Sequence, residues 1–532
     1  MASNTKVSNI ALTGGLNITS SDQMLAEGEC MELKNYEITT IGRYKRVKGY
    51  ERFSGELPPS EVVASELPGF PFDTTNELID AILAEQLVRR NAIEQVPGAG
   101  SVLGVFGFDG EIYAFRNIED ESEAKMYKAT FGGWVEVTTP ELEPNGYYEV
   151  REANFTGSVG TREVIGVDGK NPAFRFDGTT FTQITTDVTP DAPTHLEILP
   201  SQILLLSFRG GSFLYSAVGD PTKFSSVDGG GEIAVGHEIT GMEVQADSTV
   251  AIFTRNRTFM LYGSSSLDFQ LKALALRSGA LEKTIQSMGS TMYLDDRGLT
   301  RLDRVQQFGD FEGATISQKV QTLLTQRLLN VRCSMVLREK NQYRLFFSDN
   351  TALTLTQYGS EVLGFTQLNL TFTPNCAWSG ENTEGKESYF IGGEDGYVYQ
   401  MESGNSFDCY SYVSSFQTGF INTGAPEYKK RWRKLVLEAQ SVSTLEAQYK
   451  CYYDYADPNI PLSDTMIGSG AKWDLSTWND AIWGGASTSW SDLYIDGVSR
   501  SISVYMRTES NYYPPHELSL LMLHASPRGR RR

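Results

Sequence analysis

Adjacent carboxylates are the residues in this sequence best placed to do chemistry, because two acids a few ångströms apart can divide the roles of general acid and base or nucleophile in sugar cleavage. Asp295-Asp296 and Glu394-Asp395 are such pairs. Both fall where a hairpin corner is expected, beside Gly298 and Gly396, and Asp at a corner serves backbone geometry. Glu119-Asp120-Glu121 with Glu123 reads as a solvated loop. The four histidines, His195, His237, His516 and His524, show no His-x-x-x-His spacing, so no metal site is expected. Gly98-Ala99-Gly100 with Gly104 lacks the strand and final glycine of a dinucleotide fingerprint and reads as a linker. No Gly-x-Ser-x-Gly elbow or Walker loop occurs. The expectation is a protein without catalytic residues, cofactor or metal, and not an enzyme.

The remaining candidates are residues for contact. Lys429, Lys430, Arg431, Trp432, Arg433 and Lys434 form a basic run around one tryptophan, and Arg528, Arg530 and Arg531 lie in a basic tail. Such clusters suit phosphates or a partner's acidic patch. Because Leu435, Val436 and Leu437 continue the first run, a strand entering a subunit interface is favoured over DNA binding. Trp473, Trp478, Trp483 and Trp490 share one Gly- and Ser-rich loop. Tryptophans are costly to leave wet, so they pack under their own domain or against another subunit.

The chain has 532 residues, with 46 Lys+Arg against 66 Asp+Glu and a net charge of −20. That field repels nucleic acid and disfavours general DNA binding. Five scattered cysteines, Cys30, Cys333, Cys376, Cys409 and Cys451, read as reduced thiols of a chain made in a cytosol. No secretory signal or membrane span is visible.

Fifty Gly, 27 Phe and 26 Tyr point to many corners and aromatic-bearing strands. Aromatic and β-branched runs flank the corner Gly393-Glu394-Asp395-Gly396, and the pattern recurs at Asp109-Gly110, Asp177-Gly178, Asp295 to Gly298 and Asp349-Asn350. Candidate four-stranded units lie near 101–139, 147–186, 195–262, 287–310, 333–372 and 376–402, a spacing of roughly 40 residues that suits propeller blades. The predicted fold is mainly β: a β-propeller of about six blades at 101–402, with an extended N-terminal β segment at 1–55 closing onto it. A loop and small helical insertion at 56–100 and a separate C-terminal β-sandwich-like module at 403–532 complete it.

Within the insertion, Thr74-x-x-Glu77 is a capping box before Leu78, Ile79, Ile82, Leu83 and Leu87, which predicts a helix over 76–95. It packs on its own domain or docks on a neighbour. A turn or two of helix is expected over 281–288, and a helix over 314–328 with Ile316, Val320, Leu323, Leu324 and Leu328 on one apolar face. Sandwich strands are expected over 416–421, 434–439, 445–453 and 501–507. The basic stretch from Arg43 to Arg52 reads as a solvated strand or a phosphate contact.

Gly14-Gly15-Leu16-Asn17, Leu33-x-Asn35-Tyr36 and Gly42-x-Tyr44 to Gly49-Tyr50-x-Arg52-Phe53 occur in an order that resembles the opening of the tail nozzle, or tail tubular, proteins of short-tailed bacteriophages. Asn341 to Phe347, Gly393 to Gln400, Phe407-Asp408, Lys429 to Leu435, the tryptophan loop and Pro514-Pro515-His516 follow in the same order. Residues 56–100 depart from it. The resemblance implies a structural virion protein made in the host cytoplasm and residing in the phage tail. Its implied assembly is a homo-oligomeric ring, most often a hexamer, that continues the DNA channel below the portal and adaptor. It would help retain packaged DNA, support tail fibres and pass double-stranded DNA without sequence-specific binding. From another class, a propeller that binds or hydrolyses host carbohydrate is the alternative.

Overall fold

The corner between Glu387–Gly393 and Val398–Met401 shows how this chain makes its sheets. Gly396 takes φ +81°, and Gly393 N donates to Tyr397 O at 2.9 Å, so the strands return antiparallel. Side chains then alternate, and aromatic and aliphatic residues from neighbouring sheets meet. In the computed structural model, residues 5–22, 24–158, 160–303, 315–441, 445–456, 461–467 and 487–528 are described.

Seven such sheets follow one another as propeller blades. Four four-stranded sheets cover 99–142, 149–183, 195–234 and 239–275; a three-stranded sheet covers 286–301; and a four-stranded unit covers 331–369. The seventh blade, Pro374–Glu381, Glu387–Gly393 and Val398–Met401, takes its fourth strand from β5 (Tyr50–Phe53) at the other end of the chain. The inner strand Ala99–Phe108 of the first blade packs on Pro374–Glu381 of the last, closing the circle. The expected unit at 195–262 holds two blades, which raises the count from about six to seven.

The sandwich is built from both termini. One sheet runs β3 (Tyr36–Ile38), β4 (Tyr44–Arg46), Glu517–Pro527, Lys430–Ser441 and Ser487–Ser499, with β1 (Lys6–Ala11) also pairing with Glu517–Pro527. The other is not confined to the module. The sixth blade continues through β2 (Cys30–Lys34) into Tyr412–Thr418, Ile502–Ser510, Leu445–Tyr453 and Ser463–Ile467, nine strands among the described residues. The expectation of a separate module is corrected on this point. One apolar core runs from Tyr343 and Phe365 of the blade through Leu33 and Tyr36 to Phe416, Trp432, Leu435 and Leu521.

The insertion's helix, α1, spans Thr75–Ala92, and the Thr74 side chain accepts from Glu77 N at 3.2 Å. None of its side chains is fully buried. Its last turns are tied to its own chain by Arg90 on Asp408 and by Arg89 on Glu61 O. Residues 281–288 are not helical: Gln286–Ser287 enters a strand. Around 314–328 the α-helix is Gln321–Arg327, preceded by a 3-10 turn at Gln318–Val320, with Val320, Leu323 and Leu324 buried. No helix among the described residues is long and apolar enough to cross a membrane.

Candidate functional site

The basic run lies on Lys430–Ser441, between Glu517–Pro527 on one side and Ser487–Ser499 on the other, so it offers no free edge. Its side chains divide by face. Trp432 is wholly buried and donates from Nε1 to Ser499 Oγ at 2.7 Å. Lys430 is buried too, with Nζ on Ala425 O at 2.7 Å and Arg500 O at 2.9 Å. Burial, with Lys6 nearby, holds its ammonium pKa below the ordinary value. Neither can meet a partner, which corrects their place among the interface candidates: the sandwich core encloses them. Arg431 pairs with Asp496 at 3.2 Å and Lys434 with Asp492 at 2.6 Å. Lys429, Arg433 and Arg528 are exposed, and Arg528 N bonds to Lys429 O at 2.8 Å. Trp490 lies in the strand Ser487–Ser499 opposite Glu438. Trp473, Trp478, Trp483, Arg530 and Arg531 lie outside the described residues.

A second concentration of polar side chains binds propeller to sandwich. Asn35 Nδ2 donates to Val413 O at 2.7 Å while its Oδ1 accepts from Asn369 N at 2.8 Å, joining sandwich and sixth blade through one side chain. Tyr36 Oη meets His516 Nε2 at 2.9 Å. Burial, with Arg46 adding to it, pushes His516 down to about 3, so the ring stays neutral. Arg46 is buried, stacks 4.0 Å over Tyr412, and donates to Ser510 O at 2.7 Å and Tyr412 O at 3.3 Å. Arg52 sits 3.7 Å over Tyr397 and pairs with Asp408 at 3.2 Å. The stretch from Arg43 to Arg52 is thus only in part the solvated strand expected: Arg46 and Arg52 point into the seam, while Lys48 is exposed.

Beside them lies a charge cluster with no signature in the sequence. Lys340 Nζ is 2.8 Å from Glu37 and 2.5 Å from Glu402; Arg344 Nη2 is 2.6 Å from Glu402 and 3.5 Å from Glu37. Burial alone would raise the Glu402 carboxyl, but Arg344 and Lys340 more than offset it and bring it down to about 2. The only hint is Arg344 inside the apolar strand Gln342–Phe347, where a buried charge requires a partner.

The paired carboxylates belong to corners. Asp295 accepts from Ser278 Oγ at 3.0 Å and pairs with Arg297 at 2.7 Å, and Asp296 pairs with Arg255. Glu394 pairs with Arg332 at 2.7 Å, and Asp395 accepts from Tyr399 Oη at 2.6 Å. Among the described residues no group of His, Cys, Asp and Glu is arranged to hold a metal, and all five cysteines are free thiols.

No family model matches the chain, and no curated protein matches its sequence. Solved propeller structures align with it. A streptogramin B lyase aligns at 10% identity and TM-score 0.40, over 58% of this chain and 95% of the lyase. Virginiamycin B lyase from Staphylococcus aureus aligns at 10% identity and TM-score 0.39, over 57% and 94%. YCF48 bound to D1 peptide aligns at 12% identity and TM-score 0.39, over 58% and 95%. The chain's own sheet order makes it a mainly β propeller protein.

Proposed function

We propose that this chain is a structural virion protein that forms the ring-shaped nozzle of a short phage tail. The observation that carries the reading is where the residues of the resemblance gather. Leu33, Asn35, Tyr36, Arg46 and Tyr50 come from its opening motifs, and Tyr343, Arg344, Asp408, Trp432 and His516 from its later ones. Apart from Leu33, Tyr343 and Trp432, packed in the continuous core, these residues bond or stack at the seam between propeller and sandwich. A shared sheet with hydrogen-bonded charges at its centre resists relative movement of its two halves, which suits the wall of a channel.

In this reading about six copies form the ring, since closed cyclic symmetry is the usual outcome of head-to-tail contacts between identical chains. The ring continues the DNA channel below portal and adaptor, helps retain the packaged end and carries tail fibres on its outer surface. DNA passes without sequence-specific binding, and the net charge of −20 favours sliding over adhesion. Lys429, Arg433 and Arg528 supply exposed cationic groups for an acidic neighbouring copy.

Native mass spectrometry of the purified chain and cryo-EM of the phage particle test the reading together. Rings of about six copies, in solution or in the tail density, support it. Single copies in solution, together with a tail density that excludes this chain, overturn it.

A further inference from the structure

The inner strands of the seven blades enclose a cavity of about 820 Å³ on the propeller axis. That is the size of a pocket for a small organic ligand. Carboxylates outnumber cationic side chains nine to five in its lining, so an anion is disfavoured there. Five of the nine carboxylates, Glu149, Glu152, Asp168, Glu238 and Glu243, lie on or beside the second, third and fourth blades.

Arg151 of Glu149–Ala153 stands 3.6 Å from Glu149, 3.5 Å from Glu197 and 3.6 Å from Glu243. One guanidinium therefore serves three carboxylates, and none at a good hydrogen-bond distance. His195 Nδ1 is 2.9 Å from Glu149 Oε2. Thr240, on the same strand as Glu243, lines the cavity at 6% exposure with a hydroxyl that has no hydrogen-bond partner among the described residues. Burial pushes the Glu243 carboxyl up to about 8; Arg151 and, less strongly, Arg338 oppose the shift, and Glu197 and Glu149 add to it. More positive charge would relieve this group.

Trp378, on the seventh blade, supplies an apolar surface in the same lining. Space for its indole comes from two glycines: a Cβ on Gly107 would fall 2.4 Å from the ring, and one on Gly380 2.2 Å from it. With a guanidinium already among the carboxylates, and no metal-holding group of side chains among the described residues, the unmet demand is for an organic cation. An ammonium or guanidinium group brings several N–H donors to oxygens that lack them, and the carbon chain that carries it suits an aromatic face.

We propose that the axial cavity binds a small organic cation through an ammonium or guanidinium group held by Glu243 and its neighbouring carboxylates, with the aliphatic part of the ligand against Trp378. Asp109, Glu152 and Arg162, with side chains 68%, 48% and 51% exposed, lie at one mouth of the cavity. The site does not depend on the tail reading, because a single chain contains all of it.

Isothermal titration calorimetry on the full chain in physiological salt tests the proposal with two probes: spermidine, and an end-blocked lysine tripeptide. Saturable binding of one molecule per chain by either probe is expected. Binding of spermidine alone identifies a free polyamine as the source of the cation, and binding of the peptide alone identifies a side chain of a protein partner. Glu243→Gln should weaken binding about tenfold and Trp378→Leu several-fold, while the corner variant Glu394→Gln leaves it unchanged. Thermal unfolding of each variant shows that the fold is intact. No saturable binding of either probe at millimolar concentration overturns the proposal. So does binding that Glu243→Gln leaves untouched, or a preference for inorganic phosphate.

Discussion

At the seam, Lys340 and Arg344 face Glu37 and Glu402 two against two, with three contacts of 2.5 to 2.8 Å. At the propeller axis, Arg151 is shared among Glu149, Glu197 and Glu243 at 3.5 to 3.6 Å, with His195 on Glu149 at 2.9 Å. Both clusters are largely shielded from water, with no side chain in them more than 35% exposed, and desolvation penalises their charges. At the seam, short hydrogen bonds offset that penalty, and the Glu402 carboxyl falls to about 2. At the axis they do not, and Glu243 rises to about 8. Balance with short contacts marks a cluster that holds parts together, whereas imbalance around a cavity marks one that is incomplete without something else.

Removing a charge from the balanced cluster should do the most damage. Arg344→Met leaves two buried carboxylates to one lysine and should cost about 3–5 kcal/mol in chemical denaturation; a loss below about 1 kcal/mol would mean that the seam does not depend on the cluster. Gly396→Val, at a corner outside both clusters, comes next. It puts a β-branched residue at φ +81°, with its Cβ 2.1 Å from the guanidinium of Arg116, which donates to Gly100 O and Val96 O. Strain and lost hydrogen bonds should together cost about 2–4 kcal/mol by the same measurement.

The two clusters should also respond to pH with opposite signs. Glu402 titrates lower in the folded chain than in the unfolded one. Its stabilisation is complete above the unfolded value near 4.5 and disappears as pH falls toward 2. Glu243 titrates higher when folded. Between 4.5 and about 8 the folded chain holds a proton that the unfolded chain has released, so stability falls as pH rises through that window. Glu243→Gln should flatten this limb and stabilise the protein at pH 8 by on the order of 1–2 kcal/mol, read from urea midpoints between pH 5 and 8.5. An unchanged pH slope would remove the contrast between the clusters. Smallest of all, Glu394→Gln breaks a pair whose two side chains are each 40% exposed, and its unfolding free energy from urea titration should change by no more than about 0.5 kcal/mol.

Asp-Gly corners and aromatic alternation made the propeller legible, since both are local signals. The blade count slipped where that signal fails: Ala234 to Glu238 joins two blades without an Asp-Gly corner, and the apolar strands on either side read as one unit. The basic strand departs from its sequence expectation for another local reason. A bulge between Trp432 and Lys434 shifts the alternation by one residue, so Lys430 and Trp432 face the same core as Leu435 and Leu437. Without the bulge the two halves of the strand would conflict, and the tryptophan would appear to face outward. The seam cluster joins Glu37 to Lys340, Arg344 and Glu402 across most of the chain, and the axial cluster draws one short segment from each of three blades. No spacing rule reaches that far. Only the fold makes those residues neighbours.

The closure of the seventh blade by β5 also sets the order in which the molecule can be made. Tyr50 to Phe53 emerge early in synthesis, but the strand they pair with, Val398–Met401, emerges only after every other blade. Until then the nascent propeller is an open arc with an unpaired strand edge at each end, the kind of edge that recruits the wrong partner. Closure is a late, long-range step that completes the whole circle at once, and such steps are slow because the chain between the two strands must be ordered first. A ribosome that stops before Met401 therefore releases an arc with open edges rather than a smaller propeller.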